Sequence, residues 1–455
     1  MPIALIVLGA GKGTRMNSDL PKVLHKIAHA PMLWHAMRAG AVLEPTACVV
    51  VAGHGADQVE ASAKAWDEDA VVVLQEEQLG TAHAVAQAFP ALDGFEGDAI
   101  VLYGDTPFIS EETLNAMAEA RSRHDVVVLG FEAADPARYG RLVTEGDTLL
   151  KIVEFKDATE EERAITLCNS GVVAADANVL KDLITAVGND NASGEYYLTD
   201  IVEIARSNGL SATVVRCPEA ETMGVNSRAD LAAAEAAFQA RMRAEALETG
   251  ITMAAPETVH FAWDTVIGRD SEIEQNVVFG PNVTIESGAR IRAFSHLEGC
   301  HVSRGSIVGP YARLRPGAEL AEDVHVGNFV EVKNAILHEG VKANHLTYIG
   351  DAEIGEKTNI GAGTITCNYD GVFKHKTTIG KNAFIGSDTM LVAPVTIGDG
   401  AMTGSGSVIT KDVPPGALAL ERADMTVKDG LATKLFNMLK AKKAKQQAAK
   451  AAQDT

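Results

Sequence analysis

The 455-residue sequence predicts an α/β fold in two architectures joined by a helix. Residues 1–228 read as an open, mostly parallel, Rossmann-like sheet, 229–249 as a linker helix, and 250–455 as a β-solenoid with a C-terminal tail. Three observations predict this. β-rich runs and helical patterns alternate through the first half. An Ala- and Glu-rich stretch without proline follows. A six-residue aliphatic beat then runs through most of the second half.

In the first half, strand candidates lie at 3–8, 48–52, 71–74, 99–103 and 126–129. Helical patterns lie between them, near 32–43, 56–66, 81–89 and 111–123. In such sheets ligands bind at the carboxyl ends of strands, so the loops after Leu8 and Tyr103 are the places to look. In the linker, Leu231, Phe238 and Met242 share one helical stripe. The beat starts at Ile267 and continues through Ile273, Phe279, Ile285, Ile291 and Leu297. After one five-residue step come Val302, Val308, Leu314, Leu320, Val326 and Val332, and a third run holds Ile379, Ile385, Leu391 and Ile397. Neither the helical nor the strand period gives a beat of six; short strands and turns around a solenoid do. If three sides close each coil, residues 267–410 make roughly eight coils. Residues 367–378 (CNYDGVFKHKTT) break the beat and are expected to protrude. The Lys-rich stretch 435–452 reads as a solvated helical tail.

The net charge of −21 argues against a general binder of nucleic acid or anionic membrane. The opening MPIALIVLGAGKG has no basic segment before its apolar run and reads as a first strand, not a signal peptide. No apolar stretch reaches membrane-spanning length. Five scattered cysteines without metal-ligand spacing suggest reduced thiols and no structural zinc.

The chemistry starts at the first strand, which runs into Gly9-Ala10-Gly11-Lys12-Gly13-Thr14-Arg15-Met16 and then Pro21-Lys22. Consecutive glycine-rich amides form an anion nest, and Lys12, Arg15 and Lys22 add positive charge. The spacing matches neither G-x-G-x-x-G nor G-x-x-x-x-G-K-[ST]. By itself such a loop is as readily a tight strand–helix turn. Asp105, after Tyr103-Gly104, is either a cap or a ligand for Mg²⁺, which prefers hard oxygen donors. Gln75, near Gly80-Thr81, has the donor and acceptor that match the imide edge of uracil. These parts suit attack by a sugar-1-phosphate on the α-phosphate of a nucleoside triphosphate, without a protein nucleophile.

Three polar clusters interrupt the solenoid. They are Arg313 to Gly317; Glu331, Lys333 and His345 to Tyr348; and Asn359, Gly361 to Gly363, Asn368, Tyr369 and Lys374. A neutral imidazole at His345 suits a general base, and Arg315 and Lys333 suit a sugar phosphate. Ser387 and Arg422 are placed to contact a long phosphorylated cofactor such as CoA.

The strings LGAGKGTRM with PKVLH, EQLGTAHA, YGDTP, YGRLV, GEYYLTD, RLRPGAEL, HVGNFVEVKNA, NHLTYIGDAEIG and NIGAGTITCNYDG cover both halves in order. Together they resemble the family of bifunctional bacterial N-acetylglucosamine-1-phosphate uridyltransferase / glucosamine-1-phosphate acetyltransferases. The resemblance implies a nucleotidyltransferase domain followed by a left-handed parallel β-helix of hexapeptide repeats, assembled as a cytoplasmic homotrimer. It implies His345 as the catalytic base of acetyl transfer from acetyl-CoA to glucosamine-1-phosphate. Arg315, Lys333, Tyr348 and Asn359 would hold the sugar phosphate. Ala362, Asn368, Tyr369, Ser387, Ser405 and Arg422 would line the acetyl-CoA site, formed between neighbouring chains. The N-terminal domain would then transfer UMP from UTP. Leu8, Gly9, Ala10, Gly11, Lys22, Gln75, Gly80, Thr81, Tyr103, Gly104, Asp105, Gly140, Glu154, Asn169 and Asn226 would bind substrate or product there, with Mg²⁺ on Asp105 and Asn226. The product, UDP-N-acetylglucosamine, feeds peptidoglycan and lipid A synthesis. Gly9 stands where the family usually has Ala, Ser170 where it has Thr, and Ser405 where a CoA-lining Ala is usual. The same layout occurs in single-activity sugar-nucleotide pyrophosphorylases and in non-catalytic assembly subunits. Retention of Arg15, Lys22 and Asp105, and of the His345 cluster, separates this chain from both.

Overall fold

The computed structural model describes residues 1–451; residues 452–455, and with them the end of the expected tail, lie outside the described residues. The chain forms two compact units, one of Met1–Thr284 with His296–Gly299, the other of Ile285–Ser295 and the chain from Cys300 onward.

In the first unit, apolar β-branched runs form a nine-stranded sheet. Its strands are β1 (Ile3–Gly9), β2 (Ala47–Ala52), β3 (Val71–Leu74), β4 (Asp98–Tyr103), β5 (Val126–Glu132), β6 (Arg141–Glu145), β7 (Thr148–Val153), β8 (Leu167–Asp176) and β9 (Ala212–Cys217). They are ordered β3-β2-β1-β4-β8-β5-β9-β7-β6. The four strands β3, β2, β1 and β4 are parallel, with Leu8 level with Val51 and Tyr103. The second half of the sheet is more mixed than the sequence suggests. β6 and β7 form an antiparallel hairpin, and β8 lies antiparallel to β4 and β5. Both faces of the sheet are covered, which is why its central strands are apolar throughout. The helix expected over 81–89 stops at Ala86, ahead of Pro90.

The linker helix α1 (Arg228–Glu248) starts with a capping box between Ser227 and Asp230. It buries Ala234 and Phe238, with Leu231 and Met242 beside them, against Ile27, Met32 and Phe108. The Gln239 amide holds Phe261 through both its backbone N–H and its carbonyl. Trp34, Trp66 and Trp263 cluster with ring centroids 5.5 to 6.0 Å apart.

The second unit is a stack of short parallel strands on three faces, a left-handed parallel β-helix. One face climbs through Arg290–Ile291, Ile307–Val308, His325–Asn328, Lys342–His345, Asn359–Ile360 and Phe384–Ile385. Every residue of the aliphatic beat from Ile273 onward is at most 2% exposed, while Ile267 is only partly covered. Within the second unit the inward aliphatic side chains stack into its core. Two strands are longer than a six-residue side. Glu331–Leu337 and Tyr348–Ile354 each bend round a corner at a left-handed residue, Asn334 (φ 45°) and Asp351 (φ 48°). The expected insertion protrudes: residues 369–374 are exposed between Ile365–Cys367 and Thr377–Ile379. Among the described residues no helix is long and apolar enough to cross a membrane.

Candidate functional site

The carboxyl ends of β1 and β4 open into a cavity of ≈ 330 Å³. Leu8, Gly9, Ala10, Gly11, Lys22, Gln75, Gly80, Thr81, Tyr103 and Asp105, all expected from sequence, line it. Gln78 and Glu195 line it too and were missed; both lie in strings the sequence reading quoted, EQLG and GEYYLTD. Gln78 Nε2 donates to the Ala10 carbonyl at 2.6 Å and so braces the glycine loop. Two glycines are required by close approach. A Cβ on Gly80, at φ +122°, would sit 2.4 Å from the Tyr196 carbonyl oxygen, and one on Gly53 would sit 2.5 Å from the Ala10 carbonyl oxygen. Gly104 donates its N–H to the Leu8 carbonyl at 2.9 Å, tying the two strand ends together.

Gln75 is 4% exposed, and its Nε2 bonds the Gly80 carbonyl at 3.2 Å and His83 Nδ1 at 3.0 Å. The Tyr103 phenol is pushed far up, first by burial and then by the Asp105 and Glu154 carboxylates, so it stays a neutral donor.

Gly140, Glu154 and Asn169 meet at the next stretch of the cleft. The Asn169 N–H donates to the Gly140 carbonyl at 2.9 Å, and a Cβ on Gly140 would lie 3.5 Å from Glu154 Oε1. Burial raises the Glu154 carboxyl, and the Asp200 and Asp157 charges add to this against the Thr199 hydroxyl, 3.3 Å away. A second cavity of ≈ 490 Å³ is lined by Glu154 together with Arg138, Phe155, Lys156 and Tyr197, and it shares Glu195 with the first.

Lys22 joins the remaining two residues. Its Nζ donates to Asp105 Oδ2 and, at 3.0 Å, to Asn226 Oδ1. One carboxylate oxygen and one amide oxygen therefore converge on a single cationic point. That donor set fits Mg²⁺, which takes one or two protein oxygens and completes its shell with phosphate and water. No group of three or more His, Cys, Asp or Glu among the described residues is arranged for a metal, so the protein alone offers no closed cage.

In the β-helix, His345 ends its strand and is exposed. Its Nδ1 lies 2.9 Å from Asn328 Oδ1, with which it is in register on the coil below. An amide oxygen can only accept, so this bond fixes the proton on Nδ1 and leaves Nε2 with its lone pair. Asn328 was missed as a site residue, although HVGNFVEVKNA contains it. Above His345 the ladder continues in one column. Gly363 N–H bonds the His345 carbonyl, Asp388 N–H that of Ala362 and Gly406 N–H that of Ser387. Ala362, Ser387 and Ser405 thus stack over His345, and Arg422 lies against Gly406.

Arg315 Nη1 bonds Glu331 Oε1 at 2.7 Å. Lys333 has its pKa lowered, chiefly by the Lys374 ammonium and also by Arg315, with Asp351 opposing. A crowd of three cations is a place for an anion. Asp351 accepts from the amides of Asn334 and Asn368, which hold its carboxyl low against the effect of burial. Asn368 Nδ2 also reaches Tyr348 Oη at 3.5 Å. One expected residue stands apart within one chain, and a second, Tyr369, joins the cation group only through its backbone bridge to Lys374. Asn359 pairs with Lys342, at the opposite end of the strand that finishes in His345. Tyr369 is 61% exposed on the protruding loop.

Residues 5–164 match the model of the MobA-like NTP transferase domain, and residues 264–299 and 376–411 match the bacterial transferase hexapeptide (six repeats). A "Bifunctional protein GlmU" of Ruegeria sp. (strain TM1040) is 71% identical over 444 residues, covering 98% of this chain and 99% of the relative. That of Ruegeria pomeroyi is 71% identical over 447 residues, with the same coverage. That of Jannaschia sp. (strain CCS1) is 66% identical over 440 residues, covering 97% of each.

Proposed function

Because the chain belongs to the family of bifunctional GlmU proteins, we propose that its two activities are divided between the cleft of residues 1–228 and the β-helix of residues 250–455, with 229–249 as the linker. The protein is a bifunctional transferase of UDP-N-acetylglucosamine synthesis, serving the cell wall. It acetylates glucosamine-1-phosphate with acetyl-CoA and transfers UMP from UTP to N-acetylglucosamine-1-phosphate, releasing pyrophosphate.

In acetyl transfer, His345 Nε2 takes a proton from the sugar amine. The nitrogen attacks the thioester carbonyl, the carbon–sulfur bond breaks, and CoA leaves as the thiol. The observation that carries this half is the bond from His345 Nδ1 to Asn328, which aims a basic nitrogen outward. Arg315, Lys333, Tyr348 and Asn359 hold the sugar phosphate, and Ala362, Asn368, Tyr369, Ser387, Ser405 and Arg422 the CoA. We read the assembly as a homotrimer, because Asn359 stands away from the Arg315–Lys333 group of its own chain. An exposed ladder of Phe294, Tyr311 and Phe329, stacked 4.9 and 5.2 Å apart, runs up one corner and supplies an apolar seam for the partner.

In uridyl transfer, the loop amides of residues 9–11 cradle phosphate, and Gln75 with Gly80 and Thr81 holds uracil. Tyr103, Gly104, Gly140, Glu154 and Asn169 hold the sugar. The sugar-phosphate oxygen bonds to the α-phosphorus of UTP as the bond to pyrophosphate breaks. Mg²⁺, held by Asp105 and Asn226, would neutralise phosphate charge. Small-molecule substrates, an acidic chain and free thiols support a cytoplasmic location.

The deciding experiment is release of free thiol from acetyl-CoA by the purified protein. Release that depends on glucosamine-1-phosphate is expected. Its absence, with pyrophosphate still formed from UTP and N-acetylglucosamine-1-phosphate, would reduce the β-helix to a scaffold.

A further inference from the structure

The two oxygens assigned above to Mg²⁺ already have a cation between them. Lys22 Nζ donates to Asp105 Oδ2 and Asn226 Oδ1, and the Lys22 and Asp105 side chains are only 11% and 20% exposed. This placement is built in. Lys22 opens the short turn Lys22–Leu24 after Pro21, and Gly13 packs so closely on it that an added Cβ would lie 2.7 Å from Lys22 Cβ. The backbone is thus held close, and the ammonium is the far end of a four-carbon stem that lines the open cavity.

An ammonium bonded to both oxygens and a divalent cation cannot share the same lone pairs, and they repel each other at that spacing. In the cleft without nucleotide, a metal would have to displace Lys22 from both oxygens with no phosphate to receive the ammonium. With nucleotide present, the phosphates in the glycine loop take the ammonium. We propose that Lys22 is the resident counter-cation of the Asp105–Asn226 pair and yields it only when a nucleotide arrives. Metal binding is thereby made dependent on nucleotide binding. By linkage, metal in turn tightens nucleotide binding. The inference rests on the assignment of Asp105 and Asn226 as metal ligands.

The test titrates Mn²⁺ into the full-length protein without nucleotide, with free Mn²⁺ counted by electron paramagnetic resonance. Wild type, Lys22→Met, Lys22→Gln and the double variant Lys22→Met/Asp105→Asn are compared. Both single variants are expected to bind Mn²⁺ about tenfold more tightly than wild type, the scale of one charge-assisted bond pair removed. The double variant should lose that gain. Equal affinity in wild type and both single variants, with UTP-loaded wild type still binding Mn²⁺ through Asp105, would overturn the inference and leave the metal site standing. If Asp105→Asn does not weaken Mn²⁺ binding to the UTP-loaded enzyme either, the metal site falls and the inference with it.

Discussion

A single bond sets the chemistry of His345. With Asn328 Oδ1 accepting from Nδ1, the neutral ring turns its basic Nε2 away from Asn328, toward the position proposed for the sugar amine. Asn328→Ala removes that choice of tautomer while leaving the imidazole in place. Acetyl transfer should fall by about 10²-fold in kcat, with the KM for glucosamine-1-phosphate little changed, if Asn328 acts through the imidazole. A rise in KM alone would make Asn328 a binding residue instead. Glu154 shows the opposite balance of stability and use. Burial raises its carboxyl above the unfolded value, so the ionised form destabilises the native state as pH rises through the folded pKa. Below the unfolded pKa both states are protonated and the cost vanishes. Glu154→Gln should therefore raise Tm at pH 8 but not at pH 4, while lowering uridyl transfer. An unchanged Tm at pH 8 would refute the buried-charge account. His345 was legible in the string NHLTYIGDAEIG, and Glu154 through the family resemblance. Asn328 was not, because its role depends on coil register, and a one-dimensional reading shows no partner across seventeen positions.

At the scale of elements, the coil that carries Asn328 leaves no room beside it. A Cβ on Gly327 would fall 2.0 Å from the Asn344 carbonyl oxygen on the next coil, backbone against backbone. Neither side can move without breaking the ladder between His325–Asn328 and Lys342–His345. Gly327→Ala should lower the stability of the β-helix by about 1–3 kcal/mol and displace His345, cutting acetyl transfer more than tenfold. Uridyl transfer measured on the same protein should be unaffected. An active acetyltransferase would show that the stack adapts where close packing says it cannot. The six-residue beat made this element readable, since a single inward aliphatic per side is all that the core requires. It did not reveal the strands Glu331–Leu337 and Tyr348–Ile354, which turn a corner without a break. There the turn residues are Asn334 and Asp351, whose short polar side chains tolerate positive φ, and neither left-handed position is itself a glycine. In the sheet, the parallel half was legible from its apolar runs. The antiparallel return of β8 was not, because strand direction comes from the inserted β6–β7 hairpin.

At the scale of the whole molecule, the two proposed catalytic centres predict separable losses. Asp105→Ala should abolish uridyl transfer by at least about 10³-fold and spare acetyl transfer, and His345→Ala should do the reverse. The proposed trimer adds a sharper consequence. His345 sits on the helix wall of its own chain, whereas Tyr369 is held on the protruding loop, its hydroxyl bonded back to the Gly371 carbonyl at 2.6 Å, beside exposed Val372 and Phe373. If Tyr369 completes the CoA site of a neighbour, His345→Ala and Tyr369→Ala damage different chains of one site. Co-refolding the two variants in equal amounts then yields trimers in which about a quarter of the sites draw an intact His345 from one chain and an intact Tyr369 from the next. Acetyl transfer at limiting acetyl-CoA should rise well above that of either variant alone. No recovery, in mixtures shown by mass spectrometry to be mixed trimers, would mean that each chain builds its site alone. Tyr369 would then have to fold back toward its own His345, and the exposed loop would need another reason to be apolar.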